Sequence, residues 1–169
     1  MKRPYIIPDK IYTLPALLQQ INRWRLLNRG IAFTNGVFDI LHEGHIASLS
    51  QAAAEADFLI VGVNSDASTK RLKGPSRPVN PAQARAMVLA SLLMVDAVII
   101  FEEDTPLQLI LAIKPDVLVK GGDYTLDQIV GAREVIDSGG KVIINPIVPG
   151  ISTTEIIRKI NTTAATPGP

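Results

Sequence analysis

Ile31-Ala32-Phe33-Thr34 runs directly into Asn35-Gly36-Val37-Phe38-Asp39-Ile40-Leu41-His42-Glu43-Gly44-His45. The first four residues form an apolar run of strand length, and the segment from about His42 to Ala56 reads as a helix. A strand, a polar loop and a helix in that order make the first half of a βαβ unit. Four more runs of the same kind follow: Phe58 to Val63, Ala97 to Phe101, Val117 to Val119 and Val142 to Ile147. Between them lie helix-start signals. Asn80-Pro81-Ala82-Gln83, Thr105-Pro106-Leu107-Gln108 and Thr125-Leu126-Asp127-Gln128 each put a capping side chain three residues before a glutamine. Upstream, Thr13 opens a stretch that carries Leu14, Leu17, Leu18, Ile21 and Trp24 on one stripe, with Gly30 read as its C-terminal glycine.

A strand can reach a parallel neighbour only through a crossover, so this alternation predicts a parallel sheet covered on both faces. The expected fold is a single doubly wound, Rossmann-like α/β domain with five parallel strands in the order 3-2-1-4-5. Residues 1–30 are expected to be an arm and helix packed on the domain, with 1–10 extended; 31–161 form the domain itself and 162–169 a flexible tail. In such sheets ligands bind beyond the carboxyl ends of the strands, where the strand order reverses. The loops after the strands are therefore the places to look for chemistry.

Composition narrows the classes. With 17 lysines and arginines against 16 acids, the chain has no general attraction for nucleic acid or an anionic membrane. It has no cysteine, which excludes disulfides and thiolate metal sites and fits a reducing compartment. No run approaches the roughly 18 apolar residues that span a bilayer, and Met1-Lys2-Arg3-Pro4 is not followed by the apolar run of a signal peptide. The expectation is a cytoplasmic protein.

Both histidines of the chain lie in His42-Glu43-Gly44-His45, three residues apart and so on one helical face. A zinc site would need a third ligand from a carboxylate such as Asp39 or Asp123, and no protein metal site is expected. A helix N-terminus offers free N–H groups and partial positive charge, so two imidazoles placed there suit a phosphate. The P-loop pattern and G-x-G-x-x-G are both absent. The interval from Ala67 to Val95 holds Lys70, Arg71, Lys73, Arg77 and Arg85 and no acid, which reads as a cationic clamp for a triphosphate on a loop hinged at Gly74-Pro75-Ser76. Ser152-Thr153-Thr154-Glu155 is a capping box whose hydroxyls also suit a phosphate. Lys120-Gly121-Gly122-Asp123-Tyr124 ends the fourth expected strand, where paired glycines allow close backbone approach to a ligand.

Thr34-Asn35-Gly36-x-Phe38-Asp39-x-x-His42-x-Gly44-His45 resembles the signature of the cytidylyltransferase-like nucleotidyltransferases. Further segments are similar to the heptose 1-phosphate adenylyltransferases of ADP-heptose synthesis: Val63-Asn64-Ser65-Asp66, Arg71-Leu72-Lys73-Gly74, Arg77-Pro78-Val79-Asn80, Pro115-Asp116-Val117 through Tyr124, and Ser152-Thr153-Thr154. That family often carries cysteine where this chain has Val37. The resemblance implies transfer of AMP from ATP to D-glycero-D-manno-heptose 1-phosphate, releasing pyrophosphate, with Mg2+ delivered by the ATP. It implies a catalytic set of His42, His45 and Lys73. Thr34, Asn35, Gly36, Phe38, Gly121, Asp123, Ser152, Thr153 and Thr154 would complete the nucleotide site, and Asp39, Arg77 and Lys120 would lie near the acceptor sugar phosphate. It also implies a separate sugar kinase upstream and a homodimer. The readings left open are a cytidylyltransferase acting on glycerol 3-phosphate or another small phosphorylated alcohol, and a non-catalytic nucleotide-binding module.

Overall fold

Side chains alternate across a strand, so Ile31 and Phe33 face one way and Ala32 the other; in the computed structural model all three are buried. That is why the strand runs read as continuously apolar: both sides of the sheet are covered. The structure describes residues 6–146 and 152–164. In chain order the elements are β1 (Ile11–Tyr12), α1 (Leu14–Leu26), β2 (Ile31–Gly36), α2 (Glu43–Ala53), β3 (Phe58–Asn64), α3 (Asp66–Lys73) and α4 (Ala82–Ala90). They continue with β4 (Ala97–Phe101), α5 (Leu107–Ile113), β5 (Val117–Gly121), α6 (Ala132–Asp137), β6 (Lys141–Asn145) and α7 (Thr153–Ala164).

The sheet runs β1-β4-β3-β2-β5-β6, and every pairing in it is parallel. The five expected strands keep the order foreseen for them, but the sheet has six strands rather than five. The addition is β1, in which Ile11 and Tyr12 pair with Val98 and Ile99. Two core layers flank the sheet. On one face Leu17, Ile21 and Trp24 of α1, with Leu109, Ile110 and Ile113 of α5, cover Ile31, Phe33, Ile60 and Leu118. On the other, Leu49 of α2 and Ala86 and Leu89 of α4 cover Ala32, Leu59, Val61, Val63 and Val119. Trp24 stacks on Phe58 with ring centroids 4.2 Å apart, fixing α1 against the start of β3.

Several local expectations are corrected. α1 ends at Leu26, and the left-handed residue beyond it is Asn28 (φ 53°) rather than Gly30; Asn tolerates this region better than other side chains. Gly30 instead donates its N–H to Asp57 Oδ2 at 2.8 Å. Thr13 stands at the N-cap of α1 without a side-chain capping bond. α4 is capped by Pro81, and Asn80 turns its amide to the Asp39 carbonyl at 2.7 Å. The α4 amide of Ala82 donates to Asp66 Oδ1 at 2.8 Å. At Thr125 the glutamine does return, with Gln128 Oε1 accepting from the Thr125 N–H at 2.9 Å, but it closes a 3₁₀ turn over Leu126–Gln128. Lys70 to Lys73 lie on α3, not in a loop; Ser65 caps that helix by accepting from the Ser68 N–H at 3.1 Å. α2 stops at Ala53, short of Ala56, and β6 spans Lys141–Asn145, with the expected end at Ile147 outside the described residues. The arm includes a 3₁₀ turn at Pro8–Lys10 with residues 1–5 outside the described set, and α7 continues past residue 161 to Ala164, with 165–169 outside it. Among the described residues no helix is long and apolar enough to cross a membrane.

Candidate functional site

β2 sits at the switch point, between β3 on one side and β5 on the other, and its carboxyl end delivers the chain to the N-terminus of α2. His42 is the residue before that helix, in extended backbone geometry, and its carbonyl accepts from the N–H groups of His45 (2.9 Å) and Ile46 (3.2 Å). One helical turn therefore brings the two imidazoles together, with ring centroids 3.9 Å apart. The Phe38 ring lies 5.4 Å from that of His45. Phe38 holds φ at +50°, which few non-glycine residues adopt. A Cβ on Gly36 would lie 3.1 Å from the Phe38 ring, so a side chain there would push that ring aside by a few tenths of an ångström.

Both Nδ1 atoms are buried without a hydrogen-bond partner. Burial lowers the His45 pKa to about 4, and the neighbouring His42 deepens the shift. His42 is also lowered by burial, against an opposing pull from Glu43. The two rings are therefore neutral at pH 7, each with one N–H to donate and one lone pair. This has a stability consequence. The pKa of His45 is 6.5 when unfolded and lower when folded, so its contribution is complete above pH 6.5 and is lost as pH falls toward 4. Partial solvent screening limits the loss to about 2 kcal/mol. Thermal unfolding of the ligand-free protein across that range should show a declining midpoint, and His45→Gln should flatten the decline; an equal slope in the variant would count against the assignment.

The residues that lead into the histidine loop, Asn35, Gly36 and Val37, line a cleft of about 360 Å³ together with Asn64, Lys73, Asp104, Lys120 and Tyr124; neither histidine is part of that lining. Lys120 Nζ is 3.5 Å from Asn35 Oδ1 and 5.8 Å from the centroid of the Tyr124 ring. Its pKa is lowered, first by burial and then by the charge of Lys73. An anion between two such ammonium groups would remove both the repulsion and part of the desolvation penalty. Asp104 is the one acid of the lining, and it is held by Arg71 at 2.7 Å.

The cationic clamp of five is reduced by this packing. Arg71 is paired with Asp104, Arg77 with Asp39 at 2.6 Å, and Arg85 with Asp66 at 2.8 Å, while Lys70 is exposed on α3. Lys73 alone of the five lines the cleft. Asp39 and Arg77, expected near the acceptor, are committed to each other. The Asp39 side chain is 0% exposed, and its carboxylate accepts from Arg77 Nε and from the backbone N–H groups of Val79 and Asn80, both at 2.9 Å. Burial pushes its pKa upward, but the two N–H groups and the guanidinium together outweigh that and hold it below the ordinary carboxylate value.

The remaining expected residues divide. Thr34 is buried in β2, and Gly121 ends β5 where a Cβ would meet Ser48 Oγ of α2 at 2.9 Å, so a side chain there would oblige that hydroxyl to rotate away. Asp123 is exposed and outside the cleft lining. Ser152 Oγ accepts from the Glu155 N–H at 3.1 Å, and Thr153 Oγ1 donates to the Ile40 carbonyl at 3.2 Å, which ties the start of α7 to the histidine loop. Ser152 and Thr154 are exposed, and the adjoining Pro149, Gly150 and Ile151 lie outside the described residues. Asn64 and Asp104 are among the cleft residues absent from the expected site, whereas Tyr124 belongs to the glycine loop expected to approach a ligand. Asn64 Nδ2 donates to Ser68 Oγ at 3.0 Å, which in turn donates to the Glu103 carbonyl at 2.9 Å. That relay fixes which end of the Asn64 amide remains available, and polar residues at the ends of β3 and β4 were the only sequence signal for it.

Residues 33–159 match the family model described as cytidylyltransferase-like. Among similar proteins, the bifunctional protein HldE of Hyphomonas neptunium is 57% identical over 149 residues, covering 88% of this chain and 31% of that protein. The bifunctional protein HldE of Acidiphilium cryptum is 55% identical over 151 residues, again covering 89% of this chain and 31% of the relative. The chain thus spans about a third of the length of these curated relatives. A crystal structure of the lipopolysaccharide core biosynthesis protein from Thermoplasma volcanium is similar at 30% identity and a TM-score of 0.57, over 71% of this chain and 97% of that one. Match length, identity and the histidine geometry agree: the chain belongs to the cytidylyltransferase-like family of nucleotidyltransferases.

Proposed function

We propose that this chain transfers AMP from ATP to D-glycero-D-manno-heptose 1-phosphate, giving ADP-heptose and pyrophosphate. The observation that carries the reading is a pair of neutral, part-buried imidazoles at a helix N-terminus, on the loop whose first residues, Asn35 to Val37, line a cleft also faced by Lys73 and Lys120. Such a site binds two phosphorylated reactants side by side without supplying a nucleophile of its own. None is required. A phosphate monoester has a second pKa of about 6, so at neutral pH the sugar phosphate is already an oxyanion nucleophile. Its oxygen bonds to the α-phosphorus, the bond from that phosphorus to the bridging oxygen breaks, and pyrophosphate leaves with the electron pair. Catalysis is then alignment of the two phosphates and stabilisation of charge on the α-phosphoryl and the departing group.

In this reading the imidazole N–H groups of His42 and His45 donate to the nucleotide phosphates, Lys73 offsets the leaving pyrophosphate, and Lys120 holds the acceptor phosphate. Magnesium belongs with the nucleotide. Among the described residues no three metal-ligating side chains gather, and the Asp104 carboxylate on the cleft wall is shared with Arg71, so the phosphates themselves would carry the ion and Asp104 would face it. The ion would neutralise charge on the β- and γ-phosphates. The choice of heptose rests on the resemblance of Val63 to Asp66, Arg71 to Gly74, Arg77 to Asn80 and Pro115 to Tyr124 to the heptose 1-phosphate adenylyltransferases, and the lipopolysaccharide core biosynthesis title of the structural neighbour is consistent with it.

Pyrophosphate release measured with ATP and CTP, each against heptose 1-phosphate and glycerol 3-phosphate, tests this. Turnover is expected with ATP and the heptose. Turnover confined to CTP and glycerol phosphate would replace the assignment, and nucleotide binding without release for any acceptor would favour a binding module. With the correct pair, Lys120→Met should raise KM for the sugar phosphate about tenfold or more while leaving KM for ATP nearly unchanged, the loss of one charge-assisted contact.

A further inference from the structure

Arg85 lies outside the cleft, on α4, yet its side chain is only 1% exposed. The planar guanidinium is used on every edge: Nε donates to the Asn80 carbonyl at 2.9 Å, one terminal nitrogen to the Val37 carbonyl at 2.5 Å, and the other to Asp66 Oδ1 at 2.8 Å. Taking such a group out of water is unfavourable, and its partner Asp66, with a side chain 42% exposed, offsets little of that cost, so what the arrangement delivers is geometry. The bond that bears on the site is the one to Val37. A trans peptide is planar with its C=O and N–H antiparallel, so a carbonyl of Val37 held toward α4 turns the N–H of Phe38 the opposite way. Gly36 and Val37 line the cleft on that side, and the Phe38 ring packs beside His45. The Phe38 N–H finds no acceptor among the described residues. Its residue is also the one held at a positive φ, an unfavourable conformation that persists only where neighbours fix it. On the next residue, Asp39 is anchored from the same segment, through Val79 and Asn80.

We infer that Arg85 is a positioning residue: by holding the Val37 carbonyl it sets the 37–38 peptide so that the Phe38 N–H stands as a preorganised donor to the nucleotide's α-phosphoryl oxygen. The role rests on the nucleotidyl-transfer reading above. Three divergent acceptors need a fork of donors, which lysine lacks. Arg85→Lys therefore keeps the charge and loses the function.

The test combines kinetics with the amide itself. In the wild-type protein, saturation with α,β-methylene-ATP should move the Phe38 amide proton downfield and slow its exchange. In Arg85→Lys and Arg85→Met that response should disappear, and kcat for pyrophosphate release should fall on the order of 10²-fold with KM for ATP changed by less than about threefold, the signature of a donor that matters in the transition state. A wild-type Phe38 amide that does not respond to bound analogue overturns the inference and leaves the proposed function standing. So does Arg85→Lys turning over at the wild-type rate. Failure of the wild-type protein to bind the analogue at all would remove the proposed function, and the inference with it. Should Arg85→Met not fold, the lysine variant and the wild-type amide still decide.

Discussion

Replacing Asp39 with alanine is expected to lower the free energy of unfolding by about 3–5 kcal/mol, because one change strands a cation and two backbone donors together. The carboxylate is wholly enclosed and accepts from Arg77, Val79 and Asn80; without it the Arg77 side chain, 16% exposed, has no counter-charge, and the two N–H groups are left unsatisfied. Domains of this size are stable by only about 5–15 kcal/mol, so a loss of that order moves the thermal midpoint by many degrees. Chemical denaturation of the ligand-free variant measures it directly. Asp39→Asn should lose less, since an amide oxygen can still accept from the backbone. If Asp39→Ala instead unfolds within about 1 kcal/mol of the parent while KM for the acceptor climbs, the carboxylate acts on substrate after all, as the family resemblance first implied.

His45→Ala should have the reverse profile, leaving stability nearly intact and removing most turnover. Its ring packs with His42 and Phe38 but forms no side-chain hydrogen bond, and its Nδ1 is an unsatisfied buried atom, so truncation leaves no orphaned partner behind. Losing a well-placed donor to a transferring phosphoryl group typically reduces the rate on the order of 10² to 10³, roughly 3–4 kcal/mol of barrier. The pairing of a near-normal unfolding midpoint with a collapsed kcat is the informative result. Pyrophosphate release at the parental rate would take His45 out of the mechanism.

The contrast between Asp39 and His45 shows what could be read from the sequence and what could not. Strands β2 to β6 announce themselves through branched apolar runs, and their order follows from the crossover rule together with the position of the histidine loop. β1 was missed because two residues, Ile11 and Tyr12, carry no period. The histidines were legible for the opposite reason: four consecutive residues hold both rings and the glycine, and one helical turn suffices to bring them together. The arginines were not legible. Their partners lie 33 residues away for Arg71, 38 for Arg77 and 19 for Arg85, and only the folded chain shows that Asp104, Asp39 and Asp66 are already waiting for them. An interval free of acids looked like an open cationic clamp, when its acids lay in other segments. Asn64 was hidden in the same way, because its role depends on a serine and a carbonyl contributed by separate elements.

The two-residue strand β1 carries a last implication. It occupies part of the outer rim of β4, and Lys10 beside it donates to the Val95 carbonyl at 2.7 Å. A bare parallel strand offers a ladder of open amides on which a foreign chain can grow, and short strands and lysines are how natural sheets discourage that. On this border the ladder is shortened by the protein's own leading segment, so shortening that segment would trade a modest loss of packing for a greater hazard of self-association through the sheet.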